Sequence, residues 1–485
     1  MSPKPAGGRD LTQGPIARTL AAFALPVLGS NVLHSLNGSI NAIWIGNLLG
    51  EAALTATSNA NLVLFLLLGT VFGVSMAATI LVGQAFGARD IDRAKCVVGT
   101  GATFFLAVSA TMAILGWTLT PAILGLLGTP AEALPLAVRY LRVIFVALPV
   151  MNAFAFVMAV LRGAGDSRTP FYFMALSVAL DVVLNPLLIR GTGPLPALGI
   201  AGSAAATLIG QLVSFMALLL LLHSRRHPLL PNRQELGHFR PRPHLLRAIV
   251  AKGVPMGLQM VVISLAALAM MGLVNDFGVQ TAAAYGVAAQ LWTYVQMTAL
   301  AIGAAVSSMA AQNIGAGRWD RVGRIARAGV MFNLVLTGTL VLLLYVAERP
   351  ALGLFLPADS GAIDTAVHIN LIGSWSFILF GITIVLFGVV RATGATMAPL
   401  VILCVSLLAV RVPFASLLKP AWGADAIWWS FPLGSLMSVT LAIAYYRFGG
   451  WRKAKMVDEE PATGEAADTG VAVPAMDREP VYQSR

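Results

Sequence analysis

Charged residues are scarce in this chain. They make up only 11% of its 485 residues, whereas about a quarter of the residues are charged in an ordinary soluble domain. So few charges cannot cover the surface of a water-soluble protein of this length, which excludes that class. Cysteine is scarce as well. The two cysteines, Cys96 and Cys404, lie far apart in the sequence, and nothing suggests a disulfide scaffold.

Several chemical signatures are also missing. The sequence contains no Walker-type phosphate loop, no His/Cys cluster with metal-ligand spacing and no paired carboxylates for acid–base chemistry. We therefore predict that the chain is not an enzyme and that it has no cofactor and no bound metal. The formal net charge of +11 raises nucleic acid as a partner. Because the basic residues are scattered in loops between apolar runs, we predict no nucleic-acid partner.

Long apolar runs dominate what is present. Hydrophobic residues make up 58% of the chain, and a helix needs roughly 20 mostly apolar residues to cross a bilayer core about 30 Å thick. Twelve segments qualify, which predicts an all-α polytopic membrane protein with twelve transmembrane helices. These predicted spans, numbered 1 to 12, are residues 20–46, 53–83, 97–119, 137–161, 170–190, 198–222, 249–274, 281–309, 323–346, 366–390, 397–418 and 425–446.

The two halves of the chain repeat. Residues 83–88 match residues 311–316, which lie 228 positions later, and Pro26 matches Pro255 at an offset of 229. Six spans per half give both halves the same topology, so we expect them to pair about an axis normal to the membrane. Internal repeats of this kind place the substrate path between two lobes and favour alternating access.

The arginines and lysines predict the orientation. Most of the 32 basic residues fall on one side if both termini are cytoplasmic, as the positive-inside rule requires. We therefore expect a multi-pass protein of the inner membrane. The predicted divisions are an N-terminal cytoplasmic segment, an N-lobe, a cytoplasmic linker, a C-lobe and a disordered, acidic cytoplasmic tail. They cover residues 1–19, 20–222, 223–248, 249–446 and 447–485 respectively.

Short motifs in and beside the loops resemble those of a known family. They are DLTQGP at residues 10–15, LRGAGDSRTP at 161–170, LNPLLI at 184–189, GIAGSAAAT at 199–207 and AQNIGAG at 311–317. Together they are similar to the signatures of the multidrug and toxic compound extrusion family. The resemblance implies two six-helix lobes that form a V. It also implies a cation-coupled antiporter that exports cationic amphiphilic drugs or toxic metabolites.

Two other functions stay open. A lipid-linked precursor flippase of the wider superfamily is the main alternative. Such flippases often carry basic residues in the central cavity for pyrophosphate, and we expect this cavity to lack them. A receptor or a structural membrane protein is a third option, which would leave the repeat of the two halves unexplained.

One acidic residue is unusual in its position. Of the 21 acidic residues, only Asp181 lies midway along a predicted span. A carboxylate at bilayer depth costs several kcal/mol and needs a partner, water or a proton. Many members of the resembled family have an aspartate where this chain has Asn41. In span 5 many also have an asparagine followed four residues later by an aspartate, whereas this chain has Asp181 first and Asn185 second. We therefore predict that Asp181 carries a coupling proton, with sodium as the alternative ion. The structural alternative is a neutral, hydrogen-bonding carboxyl.

Other polar residues of the same spans are candidates to support Asp181. His34, Asn37 and Asn41 lie on one face of span 1 because they are three and four residues apart. His34 is a second proton carrier, since imidazole titrates near neutral pH, or else a structural hydrogen-bond donor. Asn41 and Asn185 are predicted to belong to the proton site together with Asp181, and Asn37 is predicted to support it. The amides of Asn37 and Asn41 suit the orientation of a carboxyl better than the binding of a bare cation.

Span 6 and the C-terminal half contain the remaining candidates. Ser203 and Thr207 lie one turn apart and could hydrogen-bond to span 5, although such bonds are common between membrane helices. Thioethers and aromatic rings suit varied apolar cations, yet most such residues only pack. The substrate-cavity candidates are Met256, Gln259, Met260, Gln290, Tyr294, Met297 and Phe377.

The sequence also predicts the partners. We expect small cationic or amphiphilic substrates, membrane lipids and a monomer. Whether the pocket lies within the N-lobe or between the lobes is left open.

Overall fold

The computed structural model describes residues 9–191, 196–230, 237, 240–355 and 361–457, except for the side chains of residues 62, 65–68 and 70. Within these ranges the chain forms helices and no strand. The helices are α1 Ile16–Leu49, α2 Glu51–Gly87, α3 Ile91–Leu126, α4 Leu134–Gly163, α5 Arg168–Arg190, α6 Ile200–Ser224, α7 Pro243–Asn275, α8 Val279–Gly315, α9 Trp319–Val346, α10 Glu348–Gly353, α11 Ala362–Gly373, α12 Ser376–Thr393, α13 Met397–Leu403, α14 Val412–Trp422 and α15 Asp425–Phe448. Residues 458–485 of the predicted tail and parts of the N-terminal segment and of the linker lie outside the described residues. The beginning of the tail was predicted to be disordered, but it contains the 3₁₀ turn Gly450–Lys453 and the buried Trp451.

The prediction of an all-α membrane protein is confirmed. Eleven helical segments of the described chain are long and apolar enough to cross a membrane. The remaining long helix, α2, has 37 residues, and its described apolar part is Val71–Gly87. The count of twelve spans and the lobe boundaries stay predictions.

Two predicted spans are interrupted. Span 10 is divided into α11 and α12 by a turn at Ser374 and Trp375. Span 11 consists of α13, a π-helical segment Cys404–Arg411 and α14. A π-helix contains more residues per turn than an α-helix and often marks a functional position, so this segment shifts the register of every residue that follows it in span 11.

The helices pack in two groups, which meet where α2 packs on α7 and α8 and where α1 packs on α8. In the first group α3 and α6 pack on α4, and α1 and α6 pack on α5. In the second group α9, α11 and α12 pack on α8, and α15 packs on α12. Helix α2 packs on α4 of the first group and on α7 and α8 of the second. The largest apolar core contains residues from both groups.

Glycines allow the backbones of the two groups to touch. A Cβ atom at Gly87 would clash with the backbone of Gln312, and one at Gly315 would clash with the backbone of Gln84. These two contacts are equivalent under the 228-residue repeat, so the sequence repeat is also a spatial one at this crossing. Further along α2, a Cβ atom at Gly73 would clash with the backbone of α7.

The end of the bundle that contains Gly87 and Gly315 is closed. The Gln84 Nε2 atom donates to the Ala392 carbonyl at 2.7 Å, and Gln312 Nε2 donates to the Gly163 carbonyl at 2.9 Å. Each glutamine therefore reaches from one half of the chain to the other. We call this end the terminal face, because the N-terminal segment also lies there.

The N-terminal segment binds both halves at the terminal face. The Arg9 N–H donates to the Gly165 carbonyl at 3.2 Å. The Leu11 N–H donates to Gln312 Oε1 at 3.1 Å, and Leu11 is fully buried. The segment that precedes α1 thus crosses the junction between the halves and stabilises its closure.

The crossing of α2 and α7 generates a prediction. Gly73→Ala should lower the free energy of unfolding by about 1–3 kcal/mol, since overpacking at a rigid backbone contact costs that much. Gly338→Ala is the matched control, because Gly338 lies inside α9 and a Cβ atom there meets nothing within 4 Å. Thermal unfolding of the purified variants checks this, and equal melting temperatures for the two variants would contradict it.

Candidate functional site

Asp181 lies where α1 and α5 pack together. Its side chain is 2% exposed. The Oδ2 atom accepts a hydrogen bond from Asn37 Nδ2 at 2.7 Å and another from Asn41 Nδ2 at 2.9 Å. Because residues four apart lie on one helical face, both asparagines of α1 reach the same carboxylate oxygen.

Helix α6 supplies a third donor to Asp181. The Thr207 Oγ1 atom lies 3.2 Å from Oδ1 of Asp181 and 3.3 Å from Oδ2. This approach depends on Gly210, whose Cβ position would lie only 3.0 Å from the Ser177 carbonyl of α5. One turn before Thr207, the hydroxyl of Ser203 is buried and has no hydrogen-bond partner among the described residues.

Asn185 extends the network along α5. Its Nδ2 atom donates to Asn41 Oδ1 at 2.8 Å, and the residue is fully buried. Asn41 therefore bridges the two residues of α5, because it donates to Asp181 and accepts from Asn185. We call the set Asn37, Asn41, Asp181, Asn185 and Thr207 the carboxyl site.

Among the described residues, no basic side chain pairs with the carboxylate of the carboxyl site. The ion pairs among the described residues involve other carboxylates, on the periphery of the molecule. Three donors offset part of the cost of a buried carboxylate, but an unpaired charge at bilayer depth remains unfavourable. The site also contains unused acceptors, because the Oδ1 atoms of Asn37 and Asn185 are buried and have no hydrogen-bond partner in the described part of the chain. A protonated carboxyl would have amide oxygens within its own network to donate to.

A cavity of about 360 Å³ lies between α1, α2, α4, α5 and α7. His34 is exposed to it and makes no hydrogen bond to another described residue. Although His34 is only three residues from Asn37, it does not contact Asp181. The walls are largely apolar and include four methionines and one arginine, namely Met76, Met158, Met174, Met260 and Arg162.

The predicted cavity residues are dispersed. Met260 lines the cavity, whereas Met256 is fully buried in the apolar core. Gln259 is buried and donates to the Thr396 carbonyl at 3.3 Å. Phe377 packs on Trp292, with ring centroids 5.2 Å apart. The other three lie partly exposed on α8 and are Gln290, Tyr294 and Met297.

Several cavity residues were missed in the sequence. Arg162 was assigned to a loop motif, yet its side chain reaches the cavity, with a buried Nε atom that has no partner among the described residues. Met158 lies four residues before Arg162, so the two share one face of α4. That spacing is a usable signal, whereas the approach of Met76 and Met174 from other helices is not encoded in any local pattern.

The comparisons with known proteins agree with this fold. The MatE family model matches residues 26–187 and 255–417. A probable multidrug resistance protein of Bacillus subtilis, YoeA, is 35% identical over 441 residues, which is 90% of this chain and 95% of that protein. The chain belongs to the MatE family.

Other relatives support the same assignment. The family member YpnP of Bacillus subtilis, also a probable multidrug resistance protein, is 32% identical over 93% of this chain and 99% of its own. A MOP superfamily transporter from Pyrococcus furiosus has the same fold, with a TM-score of 0.84 at 18% identity over 92% of this chain and 98% of that one. The predicted resemblance is confirmed. The chain is a multi-pass membrane protein of a multidrug efflux family, which is a class of transporters for small molecules rather than of enzymes.

The position of Asn41 between two side chains of α5 generates a prediction. The double variant Asp181→Asn with Asn185→Asp should export substrate severalfold better than Asp181→Asn alone, because Asn41 contacts both positions and water can bridge a small shift. Substrate efflux at matched expression checks this.

The single variant Asn185→Asp is the control for an added carboxylate. Efflux by the double variant no greater than that of Asp181→Asn would show that the carboxyl must occupy position 181 itself.

Proposed function

We propose that the chain is a proton-coupled antiporter of the inner membrane that exports cationic or amphiphilic small molecules by alternating access. The observation that carries the proposal is Asp181, a buried carboxylate held by three neutral donors and by no described cation. The proposal includes cytoplasmic termini, a monomer surrounded by lipid, and lobes that comprise residues 20–222 and 249–446.

The carboxyl site can couple protonation to helix packing. In the ionised form, Asp181 accepts from Asn37 and Asn41 of α1 and from Thr207 of α6, so one charge holds three helices. Protonation removes that charge and turns one acceptor into a donor. At least one amide must then rotate to present its oxygen, which weakens the links between α1 and α5. A ligand or proton shifts a two-state equilibrium by its differential affinity for the two states.

The hydrogen-bond directions favour a proton over sodium. Both amides of α1 turn their nitrogens toward Asp181, and nitrogen donors do not ligate a metal cation. Hard cations are held by sets of oxygen atoms, and the groups of α1 and α6 that face Asp181 are two amide nitrogens and one hydroxyl. Sodium coupling would require both amides of α1 to turn their oxygens toward the carboxylate, whereas protonation requires only one of them to do so.

The cavity supports a substrate site about one helical turn from the carboxyl site, since His34 lines it and Asn37 follows three residues later. Its walls come mostly from the N-terminal half, and α7 of the C-terminal half contributes Met260, Val261 and Ser264. The four methionine side chains adapt to varied apolar shapes. His34, which is exposed in the cavity and one turn from Asn37, is positioned to exchange protons between the cavity and the carboxyl site.

The flippase alternative is not favoured by YoeA and YpnP, which are both probable multidrug resistance proteins. The expectation that the cavity lacks basic residues is wrong for this cavity, because Arg162 lies in its wall.

The proposed coupling generates a prediction for Asp181→Asn. In proteoliposomes, an imposed proton gradient should drive export of a fluorescent cation by the wild type. The export rate of the variant should be lower by about 100-fold or more, which is within the range for loss of a proton-transfer group. Asp320→Asn is the matched control, because it makes the same change at an exposed carboxylate that pairs with Arg324.

Imposed proton and sodium gradients are compared separately. Undiminished proton-driven transport by Asp181→Asn would remove Asp181 from the mechanism. Efflux that is driven by sodium and insensitive to pH would refute the proton assignment and leave the efflux function in place.

A further inference from the structure

A second cavity, of about 700 Å³, lies at the terminal face. It is bounded by the N-terminal segment, by the loop between α4 and α5, and by the adjoining ends of α1, α5 and α6. Its described wall includes three arginines from separate parts of the chain. Arg9 belongs to the N-terminal segment, Arg168 begins α5, and Arg225 directly follows α6. The fold thus brings together three positive charges that are far apart in the sequence.

The acidic groups near these arginines are already engaged. Asp166 is the one acidic residue in the described wall. Its Oδ1 atom accepts from the N–H groups of Arg168 and Thr169 at 3.0 Å each, and its Oδ2 atom accepts from Thr169 Oγ1 at 2.6 Å. In the N-terminal segment, Asp10 accepts from the N–H and the hydroxyl of Thr12 in the same way. The ion pairs of the described chain include none of the three arginines, so the wall keeps an excess of positive charge.

The backbone that carries the arginines is fixed. The Arg9 N–H donates to the Gly165 carbonyl at 3.2 Å, and a Cβ atom at Gly165 would lie only 2.3 Å from the Arg9 carbonyl. The Arg225 N–H donates to the Leu221 carbonyl at 3.0 Å, and Arg168 is held by the loop carboxylate described above. Because these positions are set before any ligand arrives, binding costs little backbone ordering.

The cavity lies at the end of an exposed apolar face of α5. Tyr172 lines the cavity and is 64% exposed. Leu176 and Val183, which are 37% and 59% exposed, share its face of the helix by their spacing. Met174 lies on the opposite side of α5 and lines the other cavity, beside His34. Since α5 is long and apolar enough to cross a membrane, its exposed face is suited to contact acyl chains.

These features match the two ends of an anionic phospholipid. Guanidinium groups bind phosphate through parallel N–H donors, and basic pockets between membrane helices on the cytoplasmic side bind anionic headgroups. A lipid would place its phosphate among the arginines and its chains along α5. A soluble phosphate would use the arginines and leave the apolar face uncovered.

We propose that this cavity binds the phosphate of an anionic phospholipid of the cytoplasmic leaflet through Arg9, Arg168 and Arg225. The inference rests on the proposed cytoplasmic position of the terminal face, and it goes beyond the efflux function. A lipid bound in this way links the N-terminal segment, which crosses the junction between the halves, to α5 and α6.

Native mass spectrometry of the purified full chain in detergent tests the proposal. Phosphatidylglycerol and phosphatidylcholine with identical acyl chains are titrated separately, and the apparent Kd of the first bound lipid is measured. The wild type should bind phosphatidylglycerol more tightly. Arg168→Gln and Arg225→Gln should each weaken phosphatidylglycerol about fivefold, the size expected for one basic residue near an anionic surface, and should change phosphatidylcholine less than about twofold.

Arg93→Gln is the matched control. Arg93 is exposed in the first turn of α3 and is not among the residues that line the cavity, so this variant should keep the wild-type affinity. The two test substitutions lie on different elements, so either one tests the proposal if the other folds poorly. Unchanged binding in a folded test variant overturns the proposal, and so does an equal loss in Arg93→Gln, which would indicate diffuse attraction to surface charge.

Inorganic phosphate in large excess separates the two sources of a phosphate group. Phosphatidylglycerol should stay bound to the wild type, because its chains also contact the protein. Displacement of the lipid, with phosphate retained by the wild type and not by Arg168→Gln, would show that the ligand is a soluble phosphate and would overturn the lipid proposal.

The binding measurements need no ion gradient. Lipid binding that depends on these arginines, in a protein without proton-driven efflux, would refute the proposed coupling alone. Intact efflux without such binding would refute this inference alone.

Discussion

The cost of placing one carboxylate among apolar helices constrains this structure more than any other single interaction. Three helices converge on Asp181, and each contributes or carries a polar group that faces it. Gly210 of α6 lies so close to α5 that an added Cβ atom would be only 3.0 Å from the Ser177 carbonyl. A larger residue there would therefore move α6, and Thr207 with it, away from the carboxylate. The donors lower the cost of the charge without neutralising it, which leaves the site responsive to a proton.

The two halves share a geometry and differ in chemistry. The contacts of Gly87 with Gln312 and of Gly315 with Gln84 are reciprocal, and they close the terminal face where the backbones meet. Away from that face, the two halves carry different residues at related positions. One half places an acid among amides, and the other places Arg411 on an aromatic ring. A repeated fold can thus present opposite charges at equivalent depths.

Much of the fold was predictable because the bilayer fixes the length and the composition of its helices. Asp181 and Asn37, Asn41 and Thr207 were also predictable, because depth in a span and helical spacing are local properties. The cavity was not, since Arg162, Met76 and Met174 converge from three helices that the sequence does not pair. The π-helical segment, which packs against α15, was also missed, because we recognised no local sequence pattern that marks it.

In the proposed mechanism, Asp181 gains and loses a proton within the working protein. Infrared difference spectroscopy between acidic and alkaline samples detects the carbonyl stretch of a protonated carboxyl directly. We expect such a band in the wild-type protein, shifted by the hydrogen bonds of Asn37 and Asn41 and absent in Asp181→Asn. An identical difference spectrum for the wild type and the variant would contradict it.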